Sequence, residues 1–251
     1  MKVIILAAGV GKRLGPNSDN KPKCLLQFDG ISLLRQHLDN LTKFGVGETV
    51  IVYGYRKELI DAEIARIRAG IPVRTIFNPD FTQGSVVSFW CAREVFRSGE
   101  DIILMDADVL YDPDILKTLI ETPHKNCFLL DREFEPGDEP VKLCISNGRL
   151  IEFRKEIDED LEFEDQGESV GFFRFNPRMA ALLADRSQYY IDNGKRAEPY
   201  EEVIRDMLLS EQASFAFEDI TGIPWVEIDF PDDINRASQI MHDLRAPQCR
   251  N

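Results

Sequence analysis

Val3-Ile4-Ile5-Leu6-Ala7-Ala8-Gly9-Val10-Gly11-Lys12-Arg13-Leu14, followed after a polar stretch by Lys21-Pro22-Lys23, is the segment from which the rest of the chain can be read. Val3 to Leu6 is short, rich in β-branched residues and apolar at successive positions, the pattern of a strand buried on both faces of a parallel sheet. It runs straight into small residues, which let a backbone approach a ligand closely and turn its amides toward phosphate oxygens. Lys12, Arg13 and Lys23 then put three cations where phosphates would arrive.

Two other phosphate-binding patterns fail when checked position by position. A Walker A loop needs Gly-x4-Gly-Lys followed by Ser or Thr, but Lys12 is followed by Arg13 and position 6 is Leu. A dinucleotide fingerprint needs Gly at position 14, which is Leu14. Gly-x-Gly alone fits a plain strand-to-helix turn equally well.

Outward from this loop, helical spacing over Ser32–Phe44 and a strand at Glu48–Val52 complete a βαβ unit. A helix over Lys57–Ala69, a strand at Val73–Phe77, a helix over Val86–Arg97 and a buried strand at Asp101–Met105 continue the alternation. From Cys127 to Ile157 strand follows strand, with a hairpin around Asn147-Gly148. The acidic stretch Asp158–Gly167 reads as a solvated mobile loop. After it come a strand at Ser169–Phe175, helices at Pro177–Asp185 and Tyr200–Ser210, strands at Ser214–Asp219 and Trp225–Ile228, and a closing helix over Pro231–Leu244. The expected fold is α/β: a doubly wound, Rossmann-like mixed sheet with a small antiparallel portion over the site. No repeat or linker divides residues 1–251, so one domain is expected.

A chain of 251 residues with 43% hydrophobic content can bury a sizeable core. Its net charge of −14 speaks against nucleic acid or an anionic membrane as partner, and a small ligand fits better. Cys24, Cys91, Cys127, Cys144 and Cys249 form no CxxC pair and leave one over in any disulfide scheme, the usage of a reducing cytoplasm. The apolar run Val3–Ala8 is too short for a signal peptide or membrane span, so a cytoplasmic protein is expected.

Carboxylates appear at two strand ends. Ile102-Ile103-Leu104-Met105 delivers Asp106-Ala107-Asp108, and a period of two lets both acids face one side, where a hard divalent cation would relieve their repulsion. Trp225-Val226-Glu227-Ile228 delivers Asp229 just before the closing helix. A turn or cap role is the plainer alternative for Asp106, and an N-cap ahead of Pro231 for Asp229. His37, His124 and His242 lie in no nucleophile or zinc motif and read as surface or helix residues.

Leu-Ala-Ala-Gly-x-Gly-x-Arg-Leu with the later Lys-Pro-Lys resembles the signature of the nucleotidyltransferase (nucleotide-sugar pyrophosphorylase) superfamily. Within it the chain is similar to small cytidylyltransferases acting on phosphocholine, aminoethylphosphonate and related molecules, over nearly its whole length. The resemblance implies a magnesium-dependent transfer of CMP from CTP, or of another nucleotide, to a small phosphorylated or phosphonylated acceptor, with release of pyrophosphate. Leu6, Ala7, Ala8 and Gly9 would hold the nucleoside, Gly11, Lys12 and Arg13 the triphosphate, and Lys23 would lie over the reacting phosphate. Asp108 and Asp229 would ligate Mg2+, with Asp106 close by on the nucleotide.

The turn Asn78-Pro79-Asp80-Phe81-Thr82-Gln83-Gly84-Ser85 joins a strand to a helix start, and in the superfamily such a turn reads the base. Gln83, Gly84 and Ser85 are therefore the base-contact candidates, with helix capping as the alternative for Ser85. An acceptor ammonium could rest on Trp90, Phe89, Tyr200 or Trp225 with Glu168 or Glu201 as counter-charge, though each aromatic also suits a core. Lys142 could hold the acceptor phosphate, or be a surface lysine. A homodimer is allowed by the sequence. Rival readings are a sugar-1-phosphate nucleotidyltransferase and a non-catalytic nucleotide-binding module.

Overall fold

Strand β1 (Lys2–Ala7) sends Ile4 to one face of a sheet and Val3 and Ile5 to the other, all fully buried. The chain is described by a computed structural model over residues 1–18, 21–135, 137 and 139–245; Cys249 lies outside the described residues. Parallel to β1 run β4 (Glu48–Tyr53) and β6 (Ile102–Asp106), and β5 (Val73–Phe77) extends the sheet beyond β4. Small antiparallel pairs are made by β2 (Gln27–Phe28) with β3 (Ile31–Ser32) and by β7 (Val109–Tyr111) with β13 (Trp225–Glu227).

Helices cover both faces. On the Ile4 side lie α3 (Ser85–Cys91), α4 (Arg93–Phe96), α6 (Pro177–Asp192) and α7 (Glu201–Ser210), whose Phe89, Phe96, Leu183 and Ile204 meet Val50, Val52 and Leu104. On the Val3 and Ile5 side, α1 (Leu33–Lys43), α2 (Lys57–Ile67) and α5 (Pro113–Glu121) bring Leu34, Leu38, Ile60 and Leu116 against Ile51, Ile103 and Met105. Each such fully buried aliphatic side chain contributes roughly 1.5–3 kcal/mol of transfer free energy. A third cluster joins Leu14, Leu110, Val226 and Ile228 to Ala237 and Met241 of α8 (Pro231–Arg245), which seats the first loop and the segment leading to Asp229 on one helix.

The antiparallel part is built around β11 (Asp165–Phe175). One edge of β11 pairs with β8 (Cys127–Asp131), to which β12 (Ala216–Asp219) adds in parallel. The other edge pairs with β6 through Phe172–Phe175 and then with β9 (Lys142–Ser146) through Asp165–Glu168; β9 forms a hairpin with β10 (Arg149–Arg154). The sheet therefore splits where β6 ends, at Gly171, whose φ of +76° suits glycine and whose missing Cβ leaves room for the Asp106 carboxylate.

The doubly wound mixed sheet agrees with the sequence reading. The acidic stretch does not stay a loop throughout: Asp165–Gly167 joins β11, because Asp165, Gln166 and Gly167 find ladder partners in Ile145, Cys144 and Leu143. The helix after Asn176 runs to Asp192, beyond the expected Asp185. The helix expected over Val86–Arg97 is interrupted at Ala92. The asparagine and glycine of the expected hairpin turn both take positive φ, 51° and 70°, as a type I′ turn requires. No described helix is long and apolar enough to cross a membrane.

Candidate active site

The first loop and the turn after β5 face each other across a cavity of about 350 Å³. Leu6, Ala7, Gly9, Gly11, Lys12, Arg13 and Lys23 line it on one side, Phe81, Thr82 and Gln83 on the other, and Ala107 and Asp108 at its floor. Ala8 lies just outside, its carbonyl accepting from the Tyr55 amide at 3.2 Å. Gln83 is braced by Arg196, which donates to its Oε1 at 2.8 Å and to Asp80 Oδ2 at 2.7 Å.

Gly84 and Ser85 do not face this cavity. A Cβ on Gly84 would collide with the backbone of Ala197 and Glu198, and the Ser85 hydroxyl accepts the Tyr200 amide at 2.8 Å. Both residues couple the turn to the segment before α7.

Between this cavity and a neighbouring one three carboxylates converge: Asp108 after β6, and Glu227 and Asp229 from β13 and the residues after it. One oxygen from each lies within 4.8 Å of the others. Lys23 Nζ sits 2.9 Å from Asp108 Oδ2 and 2.6 Å from Asp229 Oδ1, and an Arg13 nitrogen is 2.9 Å from Asp229 Oδ2. Asp229 is free for this because it does not cap α8; Asp233 instead accepts the amides of Asp229 and Phe230 at 3.0 and 2.7 Å. A set of hard oxygen donors this close suits a divalent cation such as magnesium.

Asp106 stands on the far side of the turn. Its Oδ2 accepts the Tyr200 hydroxyl at 2.6 Å and it borders the small cleft where the sheet splits, with Lys155, Glu201 and Glu227 nearby. Burial, and then the charges of Asp108, Glu201 and Glu227, hold its carboxyl well above the usual aspartate range. Burial and the same crowding raise Glu227, and burial pushes Glu201 up to about 7.

Beyond the trio a second cavity, about 330 Å³, is walled by carboxylates including Asp131, Glu139, Glu168, Glu227 and Asp229, with the rings of Phe134, Trp225 and Phe230 among them. The Trp225 indole donates to Asp131 Oδ2 at 2.7 Å, and burial with the Asp131 charge pushes Glu168 up to about 7. Glu139 bridges Arg13 and Lys155, the latter at 3.0 Å.

A family model described as a MobA-like NTP transferase domain matches residues 3–164, more than half of the chain. The chain belongs to that family. Among curated relatives, CMP-5'-(3-aminopropyl)phosphonate synthase of Streptomyces rubellomurinus is 27% identical over 94% of this chain and 38% of its own length. CTP:phosphoglutamine cytidylyltransferase of Campylobacter jejuni is 25% identical over 93% of this chain and 98% of its own. The chain thus spans under half of the first relative and nearly all of the second. The inositol-1-phosphate CTP transferase from T. maritima shares the fold with a TM-score of 0.77 at 21% identity, covering 98% of this chain and 96% of that one.

In this MobA-like frame, the sequence candidates separate into groups. Leu6, Ala7, Gly9, Gly11, Lys12, Arg13, Lys23, Gln83 and Asp108 share the first cavity, and Glu168 and Asp229 the second. Asp106 lies outside the first cavity, with Tyr200 and Glu201 at the split of the sheet. Two acceptor candidates stand apart. Trp90 donates to Gln188 at 2.7 Å and carries the Arg93 guanidinium on its ring, and Lys142 donates to the carbonyls of Gly137 and Lys155 at 2.8 and 2.6 Å. Phe89 is sealed in the core, stacked between Phe96 and Tyr200.

Missed by sequence reasoning were Glu227, Glu139 and Lys155. Glu227 could have been considered, since it ends the apolar strand Trp225–Glu227 two residues before Asp229. Glu139 and Lys155 carry no local signal.

Proposed function

We propose that the chain is a cytidylyltransferase that moves CMP from CTP onto a phosphate or phosphonate oxygen of a small, cation-bearing acceptor. The observation that carries this is the placement of Lys23, Arg13 and three carboxylates between two cavities, one lined by the glycine-rich loop and its cations and one acidic. CTP as donor is supported by what the relatives' names say of them: a CMP-phosphonate synthase and a phosphoglutamine cytidylyltransferase.

In the reaction an acceptor oxygen forms a bond to the α-phosphorus, the bond from that phosphorus to the α–β bridging oxygen breaks, and pyrophosphate leaves. The attacking oxygen is already anionic at neutral pH, so no side chain needs to remove a proton. Amides and cations of residues 9–13 hold the triphosphate, and Lys23 moves charge compensation onto the reacting phosphate. Gln83, fixed by Arg196, meets the base. Mg2+, held by Asp108, Glu227 and Asp229, would neutralise charge on the triphosphate.

For the acceptor, Arg13 and Lys155 offer an anion seat, at present taken by the Glu139 carboxylate. The carboxylates beside Trp225 and Phe230 then favour an amine or quaternary ammonium on the remainder of the molecule. The Lys155→Ala variant tests the placement: the KM for the acceptor rises about tenfold, the worth of about 1.5 kcal/mol for one charged hydrogen bond, while the KM for CTP stays put. A rise confined to the CTP KM would place the acceptor elsewhere.

A further inference from the structure

We propose that His37 is a positioning residue of the reaction: from the middle of α1 it holds the carbonyl between Asp106 and Asp108, and so sets the direction in which both carboxylates leave β6. The proposal rests on the reading of Asp108 as a metal ligand.

His37 is fully buried on a helix face otherwise made of Leu34, Leu38 and Leu41. An imidazole placed in such a core is destabilising unless it is hydrogen-bonded. Its Nε2 lies 3.1 Å from the Ala107 carbonyl oxygen, which can only accept, so Nε2 carries the proton and Nδ1 is left as an acceptor facing the Tyr111 hydroxyl at 3.5 Å. Burial lowers the imidazole pKa to about 4, which keeps the ring in this neutral form.

The ring cannot drift. It lies parallel to Tyr111, with centroids 5.5 Å apart, and against the edge of Phe172, which pairs with Met105 in the ladder leading to Asp106. Gln36, one residue earlier on α1, donates to the Tyr111 carbonyl at 3.3 Å, so the helix grips the segment 107–111 at both ends.

The same helix seats the opposing cation. The Leu33 amide donates to the Leu26 carbonyl at 3.1 Å, and Cys24 packs in one cluster with Leu34, Leu38 and Ala107. Lys23 and Asp108, 2.9 Å apart, are thereby referenced to a single rigid element. A misplacement of the turn by a fraction of an ångström would be felt at both.

The test uses the full-length protein with His37→Met, which fills the space but donates nothing, His37→Gln, whose amide can donate to the same carbonyl, and Asp108→Asn as reference. Expected for His37→Met are a kcat lower by about ten- to a hundredfold, the scale of a small misplacement, and weaker Mn2+ binding in the presence of CTP, with metal-free CTP affinity unchanged; His37→Gln recovers most of both. Equal loss in Met and Gln, or a lower Tm with kcat and Mn2+ affinity intact, overturns the proposal. Should Asp108→Asn keep full Mn2+ affinity, the metal reading itself falls, a distinct outcome. Should His37→Met not fold, the 15N histidine spectrum of the unmutated protein decides: an Nδ1-protonated ring overturns the proposal and an Nε2-protonated one upholds it.

Discussion

Lys23 is buried enough that desolvation works against its charge, yet the attraction of Asp108 and Asp229 outweighs this and lifts its pKa above the usual lysine value. Its side chain is 15% exposed, between carboxylates at 22% and 12%. Lys23→Met therefore removes the countercharge of two carboxylates and, on the proposed function, a group that holds the reacting phosphate. We expect kcat to fall about 10²- to 10³-fold, as for loss of one pre-placed transition-state donor, and a lower Tm. Steady-state kinetics with a parallel melting curve check this; a kcat within a factor of about three of the parent would remove Lys23 from the chemistry.

Glu201 gives a second residue-scale prediction. Its Oε2 is buried without a hydrogen-bond partner among the described residues, and its folded pKa of about 7 lies above the ordinary 4.5. The folded protein thus keeps a proton that the unfolded chain releases. The stability tied to this group is fully present below pH 4.5 and is lost as pH rises to about 7. Glu201→Gln, which stays neutral, should match the parent near pH 4.5 and gain on it above, by at most about 1.4 kcal/mol per pH unit. Denaturant titrations at several pH values test it; a constant difference from pH 5 to 8 would contradict the raised pKa.

Asp108 and Asp229 stood out in the sequence because apolar strands lead into them, and the loop cations because they follow a glycine-rich turn after a buried strand. The period of two that put Asp106 on the same side as Asp108 did not hold: Asp106 bonds Tyr200 at the split of the sheet, outside the cavity that Asp108 lines. His37 was passed over as a surface or helix residue because a lone histidine on an apolar helix face reveals no partner 70 residues away. The Arg13–Glu139 pair spans 126 positions, and nothing local announces it.

At the scale of elements, the turn at Gly171 decides whether Asp106 has a place. Gly171→Ala forces a left-handed conformation on an L-residue, costing roughly 1–2 kcal/mol, and drives a methyl into Asp106 Oδ2. The expected result is a lower Tm with a fall in kcat, whereas Gly148→Ala in the hairpin, where a Cβ meets open space, lowers stability alone. Equal activity in the two variants would mean that the Asp106 side of the turn does not matter to turnover. Strong periodicity made most helices and strands readable. Val109–Glu121 was not read, although Asp112 and Pro113 form a regular helix start there. The strand before it is three residues long, and a short apolar run fits strand or helix equally.

At the scale of the molecule, β11 divides its pairing between β6 and β9, an acidic cavity lies beside the one lined by the first loop, and α8 ties that loop to the segment leading to Asp229. The alternating pattern showed the wound parallel sheet, but which antiparallel strand meets which depends on long-range pairing that one sequence does not display. The most direct test of the account is pyrophosphate release with magnesium, crossing CTP, UTP, GTP, ATP and dTTP against phosphocholine, 3-aminopropylphosphonate, inositol-1-phosphate and glucose-1-phosphate. The account predicts turnover that requires CTP together with an ammonium-bearing acceptor and that disappears in Asp108→Asn; turnover with glucose-1-phosphate and another nucleotide, or none anywhere in the grid, would contradict it.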